Sequence, residues 1–332
     1  MTDDKIKLPS YAKATIFIVG LFALLAMLYI AKSIIVPLVF ATIIAIVLHP
    51  VVNFFVQIKI NRVVAIVIVL FLSFLVIAAF GALFIRQVSR FSESLPILAE
   101  KFTAIFNQTI TWASGYFDIN AQKIHEWFTN TKDAVINASS ASIGKTLVNV
   151  GNLVVVLFLV PVYIFMILFY HPILIEFIHR FFGVSNESQV SQIVTQTKTV
   201  IQRYLIGLLI EAVIIATLNS VALLILGIEY AILLGIMSAL LNVIPYIGGF
   251  IGVLLFMVVA LVTKSPVYVL YVIMIYSTIQ FIDNHYIVPK IVASKVRINA
   301  LFAIVVVIAG NALWGISGMF LSIPILAIIK LI

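Results

Sequence analysis

The chain has 332 residues, of which 64% are hydrophobic and only 10% charged, whereas a soluble domain carries roughly a quarter of its residues as charge; this excludes a soluble globular protein and points to a surface that faces lipid. The formal net charge of +8 does not signal nucleic acid, because the basic residues stand at the ends of apolar runs and not in one dense patch. With no cysteine there is no disulfide framework, thiol nucleophile or cysteine metal site.

A helix needs about 20 apolar residues to cross a bilayer core. Residues 14–31 form the first such run; Lys13 and Lys32 flank it and no small-x-small cleavage pattern follows, so it reads as an uncleaved span. The second span is 33–55, with Pro37 in its first turn, where a missing N–H does little harm. After the basic turn Lys59-Ile60-Asn61-Arg62, the third span runs uncharged over 63–85.

Residues 86–145 change character, with charges such as Arg90, Glu93, Glu100 and Lys101 among Ser, Thr and Asn. Apolar residues recur there at helical spacing (Leu98, Phe102, Ile105; Ile124, Phe128, Val135), which predicts two amphipathic helices broken near 115–120, a small extracytoplasmic insert. The fourth span, 147–170, contains Pro161, expected to kink it. An amphipathic cytoplasmic segment, 172–203, leads into the fifth span, 204–226.

Beyond Gly227 the apolar segments change form. Residues 230–263 are interrupted at Asn242-Val243-Ile244-Pro245-Tyr246-Ile247-Gly248-Gly249, and 298–332 are interrupted at 310–318, with the uninterrupted span 267–281 between them. The pieces on either side of each break are short for spans. Placing the basic clusters Lys5/Lys7/Lys13, Lys59/Arg62, Arg180/Lys198/Arg203 and Lys290/Lys295/Arg297 on the cytoplasmic side puts both termini inside and makes each interrupted segment a hairpin. Two span-plus-hairpin units of opposite orientation result. Aligning them sets Asn242 on Asn311, Ile247 on Ile316, Gly248 on Ser317 and Gly249 on Gly318. Inverted repeats with broken helices are one way in which secondary transporters build a solute site. The expected fold is therefore all-α and polytopic, six spanning helices plus two interrupted hairpins, divided as 1–86, 87–146, 147–202 and 203–332.

Intramembrane ionisable groups mark functional sites by default. Glu211, mid-span and far from other charge, is a candidate proton, cation or solute site, or else a paired carboxylate joining helices. Asp283 stands with Gln280, Asn284 and His285 at a span end, either as a gate or as a helix end facing water. Asn219, Asn242, Asn299 and Asn311 are neutral hydrogen-bonding groups that suit a small polyol-like solute. Pro245, Tyr246, Gly248 and Gly249 at the first break, and Trp314, Gly315 and Gly318 at the second, complete the expected translocation path. No catalytic grouping is visible: Gly144-Lys145-Thr146 has Ser139 where a phosphate loop needs glycine, and the histidines lack metal-ligand spacing. No enzyme activity, cofactor or resident metal is expected.

Four stretches carry a resemblance to a known family: Leu-Gly-Ile-Glu-Tyr-Ala-Ile-Leu-Leu-Gly-Ile at 226–236, Asn-Val-Ile-Pro-Tyr-Ile-Gly-Gly at 242–249, Asp-Asn-His-Tyr-Ile-Val-Pro-Lys at 283–290, and Trp-Gly-Ile-Ser-Gly-Met-Phe-Leu-Ser-Ile-Pro at 314–324. Together with the span order, they resemble the autoinducer-2 exporter (AI-2E) family of bacterial permease-like proteins. The resemblance implies efflux of the quorum-sensing signal autoinducer-2 by some members and sodium/proton exchange by others. It also implies a homo-oligomer, a pentamer, in the bacterial inner membrane, with moving hairpins. Gly249 stands where many members have proline, and Asn299-Ala300 where a proline-containing turn is usual. Three functions follow as expectations: an exporter of a small polar solute, a sodium or other cation/proton antiporter using Glu211, or a non-transporting membrane scaffold.

Overall fold

The computed structural model describes residues 9–116, 150–181, 187–242, 247–292 and 299–331, and the secondary structure among them is helical throughout. In chain order the helices are α1 (Ser10–Ile30), α2 (Lys32–Gln57), α3 (Arg62–Tyr116), α4 (Val150–Phe169), α5 (His171–Phe181) and α6 (Glu187–Ile225). Then come α7 (Ala231–Asn242), α8 (Ile247–Thr263), α9 (Pro266–Ile282), a π-helical segment (Asp283–Val292), α10 (Ala300–Trp314) and α11 (Ile316–Leu331). Among the described residues, helices α1, α2, α3, α6 and α9 are long and apolar enough to cross a membrane, and the apolar α4, 20 residues long, bends by 69° into α5. The four shorter apolar helices α7, α8, α10 and α11 supply the two expected hairpins.

Four features of the helices differ from the sequence reading. The third span does not end at Ile85: α3 continues for 55 residues to Tyr116, about 80 Å of helix at 1.5 Å per residue. The first amphipathic helix of the insert is thus an extension of the span, and Pro96 sits inside it; the second lies outside the described residues. Likewise α6 joins the amphipathic segment and the fifth span in one helix of 39 residues. No Gly or Pro stands between Glu187 and Ile206 to interrupt it. In α4 the helix runs through Pro161, and a 69° bend falls instead at Tyr170. There Pro172 occupies the first turn of α5, a position that tolerates its missing N–H. Pro37, buried, lies in the second turn of α2, because that helix already begins at Lys32.

Packing follows small residues, as it must where lipid is as apolar as the side chains. Ala41, Ala45 and Val52 of α2 meet Ala65, Ile66 and Val69 of α3 and Ile164 and Leu168 of α4. In the C-terminal half, Gly235 of α7 lies so close to Ala216 and Ser220 of α6 that an added Cβ would overlap them. Gly252 of α8 faces Ser238 of α7, and Gly248 faces the backbone of Leu241 and Asn242. These pairings run in opposite directions along the two chains, so α6/α7 and α7/α8 are antiparallel. Phe256 and Val259 of α8 pack with Tyr276 and Val272 of α9, again antiparallel. Directions alternate, and α6 and α9, the spans that open the two units, point opposite ways.

The second hairpin repeats the device. Gly310 of α10 abuts Gly318 of α11, and Ser322 Oγ donates to the carbonyls of Val306 (3.0 Å) and Gly318 (2.5 Å). Gly315 makes the reversal at φ 65°, in the left-handed region that glycine enters at little cost.

Candidate functional site

Helix α6 is the rod on which both hairpins lie. Ile201 and Leu205 pack with Leu321 of α11, and further along Ile215, Asn219 and Leu223 face the first hairpin and α9. Glu211 sits between these two zones, 7% exposed.

At its level α7 ends, and the last residue of that helix is Asn242. The amide nitrogen Nδ2 of Asn242 donates to Glu211 Oε1 at 3.1 Å and to Asp283 Oδ2 at 3.0 Å. Asp283, 1% exposed, is the first residue of the π-helical segment, a departure from α geometry that is common at functional sites. Its other oxygen, Oδ1, is buried with no hydrogen-bond partner. Two carboxylates from different spans therefore share one amide at the tip of the first hairpin. The negative carbonyl end of α7 points into the same place. Neither carboxylate has a Lys, Arg or His partner among the described residues. Buried carboxylates need compensation. What fits here is a proton, a small cation or the hydroxyl donors of a polar solute.

A polar seam leads away from this point. Tyr276 Oη donates to the Gly249 carbonyl at 2.8 Å, close to the hairpin tip. Gln280 lies beside it: a Cβ on Gly249 would stand 3.5 Å from Tyr276 Oη and 3.9 Å from Gln280 Nε2. Deeper along α6, Asn219 Nδ2 donates to Ser238 Oγ at 3.4 Å, both groups fully buried.

Of the residues expected on a path, Glu211, Asn242 and Asp283 come together, and Gly248, Gly249 and Gln280 border them. Pro245 and Tyr246 lie outside the described residues. Asn284 and His285 do not join Asp283: both are exposed and bond back to the carbonyls of Gln280 (2.9 Å) and Phe281 (3.0 Å), one turn earlier on their own helix. Asn299 is the N-cap of α10, accepting from Leu301 N at 2.9 Å, and Asn311 is exposed. Gly315 and Gly318 shape the second hairpin, while Trp314 Nε1 reaches α1 and donates to the Leu28 carbonyl at 3.0 Å. Tyr276 and Ser238 escaped the sequence reading. For Tyr276 the signal was present, since Tyr276, Gln280, Asp283 and Ile287 share a 3–4 spacing on one helical face.

Comparison with known proteins agrees with this architecture. The family model described as "AI-2E family transporter" matches residues 17–332. The chain is 26% identical over 310 residues to "Putative transport protein YueF" of Bacillus subtilis (strain 168), covering 89% of this chain and 82% of the relative. It is 25% identical over 252 residues to "Putative permease PerM" of Escherichia coli (strain K12), covering 74% and 66%.

Proposed function

This chain belongs to the AI-2E transporter family, and from that premise we propose that it exports a small, hydroxyl-rich solute of the autoinducer-2 kind, by movement of the first hairpin against α6 and α9. The observation that carries the reading is the Asn242 bridge between Glu211 and Asp283. A solute hydroxyl approaching the hairpin tip finds carboxylate acceptors from two spans and the amide that links them. Separating α7 from α6 breaks that bridge, so occupancy and hairpin position are coupled. In this reading the transporter is a homo-oligomer in the bacterial inner membrane, as the family resemblance implies, and its termini are cytoplasmic, an orientation that the basic residues at the span ends support.

A second reading, cation/proton exchange at the same pair, is favoured by one observation: Asp283 Oδ1 is buried without a partner beside a second carboxylate, an arrangement that a cation or proton would satisfy.

Reconstitution in proteoliposomes separates the two. A panel of furanose and polyol solutes is tested for efflux, and sodium-dependent proton flux is followed in parallel, for the natural chain and for Glu211→Gln. Solute efflux without cation flux supports export. Sodium-linked proton flux that is lost in Glu211→Gln supports exchange, and neither activity in either assay would overturn both.

A further inference from the structure

Away from the transport core, α2, the α4–α5 elbow and the first half of α6 line an open-sided cavity of about 410 Å³, within the range of small-molecule sites. Most of its wall is aliphatic, including Ile46, Ile167, Ile178, Ile193 and Val194, and among the described residues no Asp or Glu lines it. One end is different. His49 and His171 meet there with ring centroids 4.4 Å apart and planes tilted by 34°, and Lys198 Nζ lies 3.2 Å from His49 Nδ1. Asn53 Nδ2 approaches the same nitrogen at 3.3 Å. With Nδ1 accepting from Lys198 and Asn53, the imidazole proton of His49 resides on Nε2. Behind this end Arg62 Nη2 donates to the Leu168 carbonyl at 2.7 Å, near the C-terminus of α4, where a cation also complements the helix dipole.

The cavity lies toward the ends of the N-terminal spans, where the apolar helices give way to polar turns. Helix α2 ends at Gln57 and α3 begins at Arg62, while α4 gives way to α5 through the 69° bend. Helix α5 exposes Ile173, Leu174, Phe177 and Phe181 along one side, and Glu176 and Arg180 pair on its exposed surface. That is the pattern of a helix lying in the interface plane. Basic pockets between spanning helices at that depth recognise anionic lipid headgroups.

We propose that this cavity is a binding site for an anionic phospholipid, with the phosphate held by Lys198, His49 and His171 and an acyl chain lying along the aliphatic wall. Charge complementarity and the combination of a cationic end with a long apolar body select this occupant over a free anion, which has no use for the body. They also select it over a zwitterionic lipid, whose own cation opposes Lys198. A lipid seated between α2, α5 and α6 joins the N-terminal spans to the helix that carries Glu211. The proposal is independent of which solute or ion that site handles.

The test uses full-length protein in a neutral maltoside detergent, titrated with phosphatidylglycerol and followed by native mass spectrometry. One saturable phosphatidylglycerol per chain is expected, with phosphatidylcholine of the same acyl chains retained about five- to tenfold more weakly. Lys198→Gln should weaken phosphatidylglycerol by a similar factor, and Ile193→Trp, which fills the apolar body and keeps every cation, should abolish its saturable binding. Thermal midpoints and oligomer mass identify a variant that fails to fold, in which case the other variant decides. Equal retention of the two lipids overturns the proposal, as does unchanged phosphatidylglycerol binding in a folded variant. Displacement by inorganic phosphate would instead reveal a free-anion site. Loss of oligomer mass with lipid retention intact would mark the cavity as a contact between copies of the chain.

Discussion

Glu211 and Asp283, on spans of opposite direction, accept hydrogen bonds from the same nitrogen, Asn242 Nδ2, at 3.1 and 3.0 Å. The amide is the donor that both carboxylates share, and it belongs to the last residue of the half-helix α7. Asn242→Leu removes the donor and leaves two buried acceptors facing each other, a cost of about 1–3 kcal/mol. Asn242→Asp keeps the shape but sets a third carboxylate against the pair, and is expected to be the more damaging of the two. Thermal unfolding in detergent and transport in proteoliposomes check this order. If both variants match the natural chain, the bridge has no role.

How far this site was legible in the sequence depends on the range of the contact. Glu211 stands out because a lone carboxylate in an apolar run is costly wherever the helix packs. Asp283 stood out as well, but grouped with Asn284 and His285, neighbours in sequence that face elsewhere once the π-helical segment sets their directions. The pairing of Glu211 with Asp283 depends on two antiparallel spans packing directly on each other where α7 ends, and no local spacing encodes that. The hairpins were legible through the Gly-rich breaks, because Gly248, Gly315 and Gly318 meet local steric needs. The length of α3 was not. Its apolar stripe changes to an amphipathic one at Arg86, and a change of solvent along one helix looks in sequence like a change of element.

The glycines divide into two kinds, and alanine substitution should expose the difference. A Cβ on Gly248 meets the Leu241 carbonyl, and one on Gly318 meets the Gly310 carbonyl; in both cases the obstacle is backbone. Gly248→Ala and Gly318→Ala should each cost about 1–3 kcal/mol as the hairpin is forced apart. At Gly20 and Gly81 nothing lies within 4 Å, and alanine there should stabilise by about 0.5–1 kcal/mol through helix propensity. Thermal midpoints in one detergent compare all four, and a loss at Gly20 equal to that at Gly248 would refute the packing argument.

Helix α1 buries none of its residues, so its attachment rests on few contacts. One is the Trp314 indole, whose N–H satisfies the Leu28 carbonyl, among the last four of the helix and without an intrahelical partner. Trp314→Phe keeps the ring but loses the donor, worth about 0.5–1.5 kcal/mol. Amides of α1 should then exchange with deuterium faster, while those of α6 to α9 stay as they were. Unchanged exchange in α1 would show that lipid alone holds it.

The two ends of α9 and its π-helical extension decide the orientation of both hairpins. Gly227, in the turn before α7, lies against Lys264, in the turn after α8: a Cβ on Gly227 would stand 3.2 Å from Lys264 Nζ. The first hairpin therefore enters and leaves at one face. The spanning stretch Pro266–Ile291 covers 26 residues, about 39 Å of helix were it α throughout, and carries the chain to the other face, where Asn299 opens the second hairpin. Because the natural chain has no cysteine, single replacements report their own side without background. Glu229→Cys and Ser265→Cys should react with a membrane-impermeant maleimide from one side, and Asn299→Cys from the opposite side. Labelling of Glu229→Cys and Ser265→Cys from opposite sides would make α7 and α8 together a crossing. The Asn242 bridge would then lie within a continuous span and not at the tip of a hairpin.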